Sequence, residues 1–193
     1  MSRRTIPGPG LPLLAAALLL ASSLAGCGSD APAMPVTCAG ADCACTAAAA
    51  CVCAADCTTS CEGDCSLQCD ARAKCNASAV GSVTIDCNDG SQCKGNGGDA
   101  SVIVCDATSD CDLKAGAGSS ATCSGSAVCK FNLGAGSTVS CTEMADCDVK
   151  CDDGDCAVSC EATASCRLNC GPGDGGAAGT ECPDGRLICG TNC

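Results

Sequence analysis

Residues 69–86 read CDARAKCNASAVGSVTID, and the next three windows of 18 read CNDGSQCKGNGGDASVIV (87–104), CDATSDCDLKAGAGSSAT (105–122) and CSGSAVCKFNLGAGSTVS (123–140). Cysteine opens each window and returns six residues later. Cys69, Cys87, Cys105, Cys123 and Cys141 therefore form one series, and Cys75, Cys93, Cys111, Cys129 and Cys147 a second. A fixed period of this kind marks a repeat architecture, in which each unit buries its apolar face only against its neighbours.

The windows share more than cysteine. Two residues after the second cysteine stand Ala77, Gly95, Leu113, Phe131 and Val149, and two before the next window stand Ile85, Ile103, Ala121 and Val139. Two before the second cysteine the residue is always small: Ala73, Ser91, Ser109, Ala127, Ala145. Offsets of two put side chains on one face of an extended strand. Each window thus reads as one short strand ending at the first cysteine and another centred on the second, as in Val83-Thr84-Ile85-Asp86-Cys87. Turn formers separate them: Asn88-Asp89-Gly90, and Gly-Ala-Gly-Ser at 116–119 and 134–137.

A helix fits poorly. Two cysteines six apart would lie about 9 Å apart along its axis and on different faces, and each glycine would weaken it by roughly 0.5–1 kcal/mol. In a fully extended chain the same six steps span roughly 20 Å, far beyond the roughly 5.5–6 Å of a bridged Cα pair. A turn between the two cysteines resolves this by facing the strands across a narrow core. The expected fold is all-β: a disulfide-stapled parallel β-solenoid of 18 residues per coil, with coils stacked about 4.8 Å apart. Bridges Cys69–Cys75, Cys87–Cys93, Cys105–Cys111, Cys123–Cys129 and Cys141–Cys147 would each close within a coil, with pairing between adjacent coils as the competing connectivity. Each short loop contributes about 2–3 kcal/mol in the chain-entropy account.

This plan is similar to that of the cysteine-stapled β-helical insect antifreeze proteins, whose coil is shorter. Their ice face is a double row of Thr-x-Thr, absent here, so that function is not carried over. Gly97-Gly98-Asp99 resembles a single element of the calcium-binding Gly-Gly-x-Gly-x-Asp roll, but Asp does not recur every nine residues.

The first 26 residues form an export signal rather than part of the fold. Arg3 and Arg4 supply the positive start, and Leu11–Leu20 is an apolar stretch too short to span a bilayer. Leu24-Ala25-Gly26-Cys27 resembles the lipobox of bacterial lipoproteins at all four positions. That resemblance implies cleavage before Cys27 and diacylation of its thiol. Ser2-Arg3-Arg4-Thr5-Ile6 only partly resembles a twin-arginine signal. Gly28 after the cysteine, where Asp would retain the protein, implies the outer membrane, on its periplasmic face or at the cell surface. Two or three acyl chains make a stable anchor where one does not. Residues 27–37, with Pro32 and Pro35, read as a tether.

Without the signal, eight basic and 22 acidic side chains remain, a net charge of −14. That balance excludes nucleic acid, which needs clustered Lys and Arg, and leaves the lipid as the membrane contact. Phe131 is the only aromatic residue. In place of an aromatic core the chain carries 26 cysteines beyond Cys27, an even number in an exported chain, which reads as a disulfide scaffold. A metallothionein-like thiolate cluster is the rival. Against it, no two cysteines are adjacent, no Cys-x-x-Cys occurs, and the Cys-x-Cys pairs are Cys43/Cys45 and Cys51/Cys53.

Flanking the repeat (69–150), cysteines crowd at spacings of four to six, so 38–68 and 151–193 are expected to form cysteine-dense irregular caps. The chain has no His, which removes Ser-His-Asp and Cys-His catalysis and imidazole metal sites. The one small-site candidate is Asp152-Asp153-Gly154-Asp155, with Asp146 or Asp148 as a further donor. Three carboxylates around a tight turn supply part of a Ca²⁺ shell, and solvated turn acids are the alternative. The sequence therefore suggests a lipid-anchored, non-catalytic structural or interaction protein of the cell envelope, with no cofactor. Its partner would be an envelope protein or polysaccharide. A calcium- or metal-binding lipoprotein and a thiol-redox protein are the other readings.

Overall fold

The computed structural model describes residues 35–152, 154–171, 176–190 and 193. The signal, Cys27 and most of the tether lie outside them. Every regular element among the described residues is a β-strand.

Two sheets face each other. Sheet 1 contains, in spatial order, Val36–Gly40, Cys57–Cys61, Lys74–Ala79, Gln92–Asn96, Asp110–Ala115, Val128–Leu133, Asp146–Cys151, Ser165–Cys170 and Ala177–Ala178. Sheet 2 runs Cys43–Cys45, Ala50–Cys53, Cys65–Cys69, Val83–Cys87, Val102–Cys105, Ser120–Cys123, Thr138–Cys141, Ala157–Cys160, Leu187–Ile188 and Thr180–Glu181. The chain alternates between the sheets and its inner strands pair in parallel, which makes a parallel β-solenoid of seven coils. Equivalent cysteines stack: Cys75 beside Cys93, Cys93 beside Cys111, Cys111 beside Cys129.

The coils extend further than the 69–150 window. Cys53 pairs in register with Cys69, and Cys57 with Cys75. At the other end Cys141 pairs with Cys160 and Cys147 with Cys166. Residues 50–68 and 151–170, expected in the caps, are thus mostly regular coil. The caps themselves are antiparallel strands. Val36–Gly40 and Cys43–Cys45 cover the two sheet edges at one end, and Ala177–Ala178 and Leu187–Ile188 cover them at the other. An uncovered parallel edge would offer unpaired N–H and C=O groups to any passing strand.

The interior is narrow. In three coils a large residue just outside the bridged cysteines accompanies a small one, Leu67 with Ala77, Ile85 with Gly95 and Ala121 with Phe131, whereas Ile103 with Leu113 and Val139 with Val149 are both sizeable and buried. Gly95 has no substitute there, because a Cβ would lie 2.2 Å from the Ala77 carbonyl oxygen. Both turns of the coil use left-handed backbone at a fixed place. One series is Ala71, Asp89, Ala107, Gly125 and Glu143, and the other Ala100, Gly118 and Gly136. Both advance by 18 residues, so the turn geometry repeats even where glycine does not.

Candidate interaction faces and the closed cysteine ladder

Seven bridges run up one side of the solenoid, one per coil, each tying the end of a sheet 2 strand to sheet 1. They are Cys53–Cys57, Cys69–Cys75, Cys87–Cys93, Cys105–Cys111, Cys123–Cys129, Cys141–Cys147 and Cys160–Cys166. Their Cα pairs are 6.1–6.6 Å apart, within the span a disulfide bridges. Six more bridges, Cys38–Cys43, Cys45–Cys51, Cys61–Cys65, Cys151–Cys156, Cys170–Cys189 and Cys182–Cys193, complete the set of thirteen. Stacking brings sulfurs from adjacent coils together, and Cys69, Cys75 and Cys93 have theirs within 4.8 Å of one another. Each of those sulfurs is already bonded to another sulfur, so none is the thiolate that a metal or a redox exchange requires.

The opposite side of the coil closes differently in the middle than at the ends. At the ends the closure is covalent, Cys61–Cys65 and Cys151–Cys156. Between them the equivalent position holds Val83 and then Ser101, Ser119 and Ser137, all buried. Each hydroxyl donates to the carbonyl three residues back: Ser101 to Gly98 (2.8 Å), Ser119 to Gly116 (2.8 Å), Ser137 to Gly134 (2.7 Å). Each also accepts a backbone N–H from the coil before it: Val83 to Ser101, Ser101 to Ser119, Ser119 to Ser137, all at 3.1 Å. Cys156 takes the place of the next serine, its sulfur 3.5 Å from the Gly134 carbonyl oxygen. The 18-residue spacing of these serines was present in the sequence, but they read there only as turn composition.

Of the acidic turn, Asp152 and Asp155 lie among the described residues. Asp152 is ion-paired to Lys150 at 3.7 Å, and Asp155 sits in left-handed backbone with a carboxylate oxygen over Gly190. Asp153 lies outside the described residues. Asp148 is engaged on sheet 1, accepting from Asn169 at 3.3 Å and pairing with Arg167 at 3.6 Å. Asp146 stands exposed on the same strand. In the C-terminal cap, Arg186 donates from its side chain (2.7 Å) and backbone (3.2 Å) to Asp184, which holds that carboxyl below the usual carboxylate range.

The two outer faces differ in chemistry. On the parallel coils of sheet 2 the outward positions are Ala, Ser, Thr, Val and Gln apart from Asp86, and no strand carries threonine at both of them. Sheet 1 collects six of the eight basic residues of the chain beyond Cys27. One outward row, in strand register, reads Lys94, Asp112, Lys130, Asp148, Arg167, with strictly alternating charge. The next row reads Asn96, Lys114, Asn132, Lys150, Asn169. An open trough of about 470 Å³ lies over the part of these rows from Asp112 and Lys114 to Asp148 and Asn169. With Lys74, Asp110 and Asp146 the face carries six positive and four negative charges, a net of +2, against −16 for the rest of the chain beyond Cys27. Sequence reading registered the overall acidity and missed this sorting, although four of the five ladder charges recur at 18 residues. No family description, curated protein or solved structure matches this chain.

Proposed function

We propose that the chain is a lipid-anchored, non-catalytic structural or interaction protein of the bacterial cell envelope, exported, cleaved before Cys27 and held in the outer membrane by lipid on that residue. The observation that carries this reading is the cysteine inventory. The thirteen bridges use all 26 cysteines from Cys38 to Cys193 among themselves, so the odd cysteine of the chain is the one in the Leu24-Ala25-Gly26-Cys27 motif. A disulfide framework of this density belongs to an oxidising compartment, where such a motif is acylated. The interior holds packed side chains and bridges, which leaves the outer faces of a stiff, acidic rod to meet an envelope protein or polysaccharide.

The test compares the wild-type chain with Cys27→Ser in a bacterial host. Expected are a membrane-bound wild type whose N-terminal peptide carries the mass of a diacylglyceryl group, and a variant that is soluble or retains its leader. A wild type recovered in soluble form, with an unmodified N-terminus downstream of residue 27, would refute the anchor.

A further inference from the structure

The geometry points to the outer face of sheet 1 as a self-association surface, on which a second copy of this chain docks antiparallel through the alternating charge ladder. This deepens the interaction reading above and does not depend on the lipid.

The row Lys94, Asp112, Lys130, Asp148, Arg167 is complementary to itself when shifted by one coil. Place a two-fold axis parallel to the strands, midway between Asp110–Ala115 and Val128–Leu133. Asp112 then faces the partner's Lys130, and Lys94 faces the partner's Asp148, each pair occurring twice by symmetry. In the adjoining row Lys114 meets the partner's Asn132, and Asn96 meets the partner's Lys150. No like charges face each other in either row. An axis placed on the strand Val128–Leu133 instead sets Lys130 on the partner's Lys130 and Asp112 on the partner's Asp148, so the alternation admits only axes midway between strands. Lys94, Asp112 and Lys130 have no ion-pair partner within 4.0 Å among the described residues, so their charge is not satisfied inside the chain.

Alternation also decides against a polyanion as occupant. Each lysine of the ladder stands beside an aspartate on the neighbouring strand, so a strand of phosphates or uronates would meet repulsion at every second coil. A surface with the same alternating pattern meets none.

Six overlapping strands about 4.8 Å apart and roughly 17 Å long give roughly 500 Å² per partner, the low end of specific interfaces. Exposed ion pairs are individually weak. The association is therefore weak and salt-dependent. Salt enters twice, because each copy is strongly acidic away from this face. At about 0.15 M the screening length of about 8 Å damps repulsion between the distant turn carboxylates but not contacts at ion-pair distance, whereas at about 1 M it falls to about 3 Å and weakens the contacts too.

The test uses the full-length chain, purified in the form the cell produces, in sedimentation velocity at about 0.15 M and about 1 M salt. Two variants accompany it: Asp112→Lys/Asp148→Lys, with an all-positive ladder, and Lys94→Asp/Lys130→Asp/Arg167→Asp, with an all-negative one. Unchanged bridge count by non-reducing mass establishes that both fold. Expected are a wild-type dimer whose dissociation constant rises at least about tenfold at high salt, loss of the dimer in either variant alone, and a heterodimer when the two are mixed. A wild type monomeric to millimolar concentration, a dimer surviving in either variant, or folded variants that fail to combine would overturn the proposal. Binding of an anionic polysaccharide to the wild-type monomer without dimer formation would do the same.

Discussion

Replacing Ser119 by alanine tests whether the serine ladder closes the bridge-free side of the coil. The hydroxyl of Ser119 donates to Gly116 at 2.8 Å and accepts the Ser101 N–H at 3.1 Å, and both serines are buried. Gly116 is only half-buried, so water can replace the donor its carbonyl loses and that loss is small. The Ser101 N–H has no such reserve, and an orphaned buried donor costs about 1–3 kcal/mol. Native-state hydrogen exchange reads this directly. The Ser101 amide should exchange about ten- to a hundredfold faster, since 1.4 kcal/mol is about a factor of ten. The amides of Ile85 and Ile103, in the sheet 2 ladder, should keep their protection. Ser120→Ala, one residue along and exposed, is the control and should stay within about 0.5 kcal/mol. Unchanged Ser101 exchange and a melting point equal to the control's would refute the claim that these hydroxyls hold the turn.

Other predictions rest on the same periodic geometry. Ala115 and Ser119 lie in the ladder positions of Cys61 and Cys65, whose Cα atoms are 6.4 Å apart, so Ala115→Cys/Ser119→Cys should form a fourteenth bridge, seen as two fewer hydrogens in the intact mass. Its stabilisation of about 2–3 kcal/mol roughly offsets the lost hydroxyl contacts, so mass is the better readout than melting. Ala100 occupies the left-handed position filled by Gly118 and Gly136 in the next coils; Ala100→Gly should stabilise by about 0.5–1 kcal/mol and Gly136→Ala destabilise by about 1 kcal/mol, measured by chemical denaturation. Calcium or a chelator should leave the melting temperature unchanged if the turn acids are simply solvated; a rise of several degrees with calcium would establish the acidic turn as a cation site.

The repeat was legible because two cysteine series and their apolar companions kept the same 18-residue step from Cys69 to Cys147, and strand alternation assigned each to a face. Its ends were less legible, because the first series breaks step there, at Cys53 to Cys69 and at Cys141 to Cys160, although Cys57 keeps the step to Cys75. The turn between Cys53 and Cys57 is two residues shorter than its counterparts, and the turn after Cys151 has one residue more than the one after Leu133, which makes Cys141 to Cys160 a step of 19. A search that requires both series at constant period loses these coils, whereas the sheets absorb the change in a turn and keep cysteine beside cysteine. The four-residue spacing at Cys53, Cys57, Cys61 and Cys65 belongs to strands joined by short turns. The charge ladder escaped because net charge carries no information about which face a lysine occupies. Only the strand register aligns Lys94, Asp112 and Lys130 with Arg167, which stands 19 residues beyond Asp148.

The central claim, a solenoid stapled within each coil, is tested most directly by alkylating the native, non-reduced protein and mapping its disulfide-linked peptides. The account predicts no label between Cys38 and Cys193, two hydrogens lost for each of thirteen bridges, and linked peptides joining Cys87 to Cys93, Cys105 to Cys111 and Cys123 to Cys129. Alkylatable thiols carrying bound metal, or peptides joining Cys87 to Cys105 across coils, would contradict it.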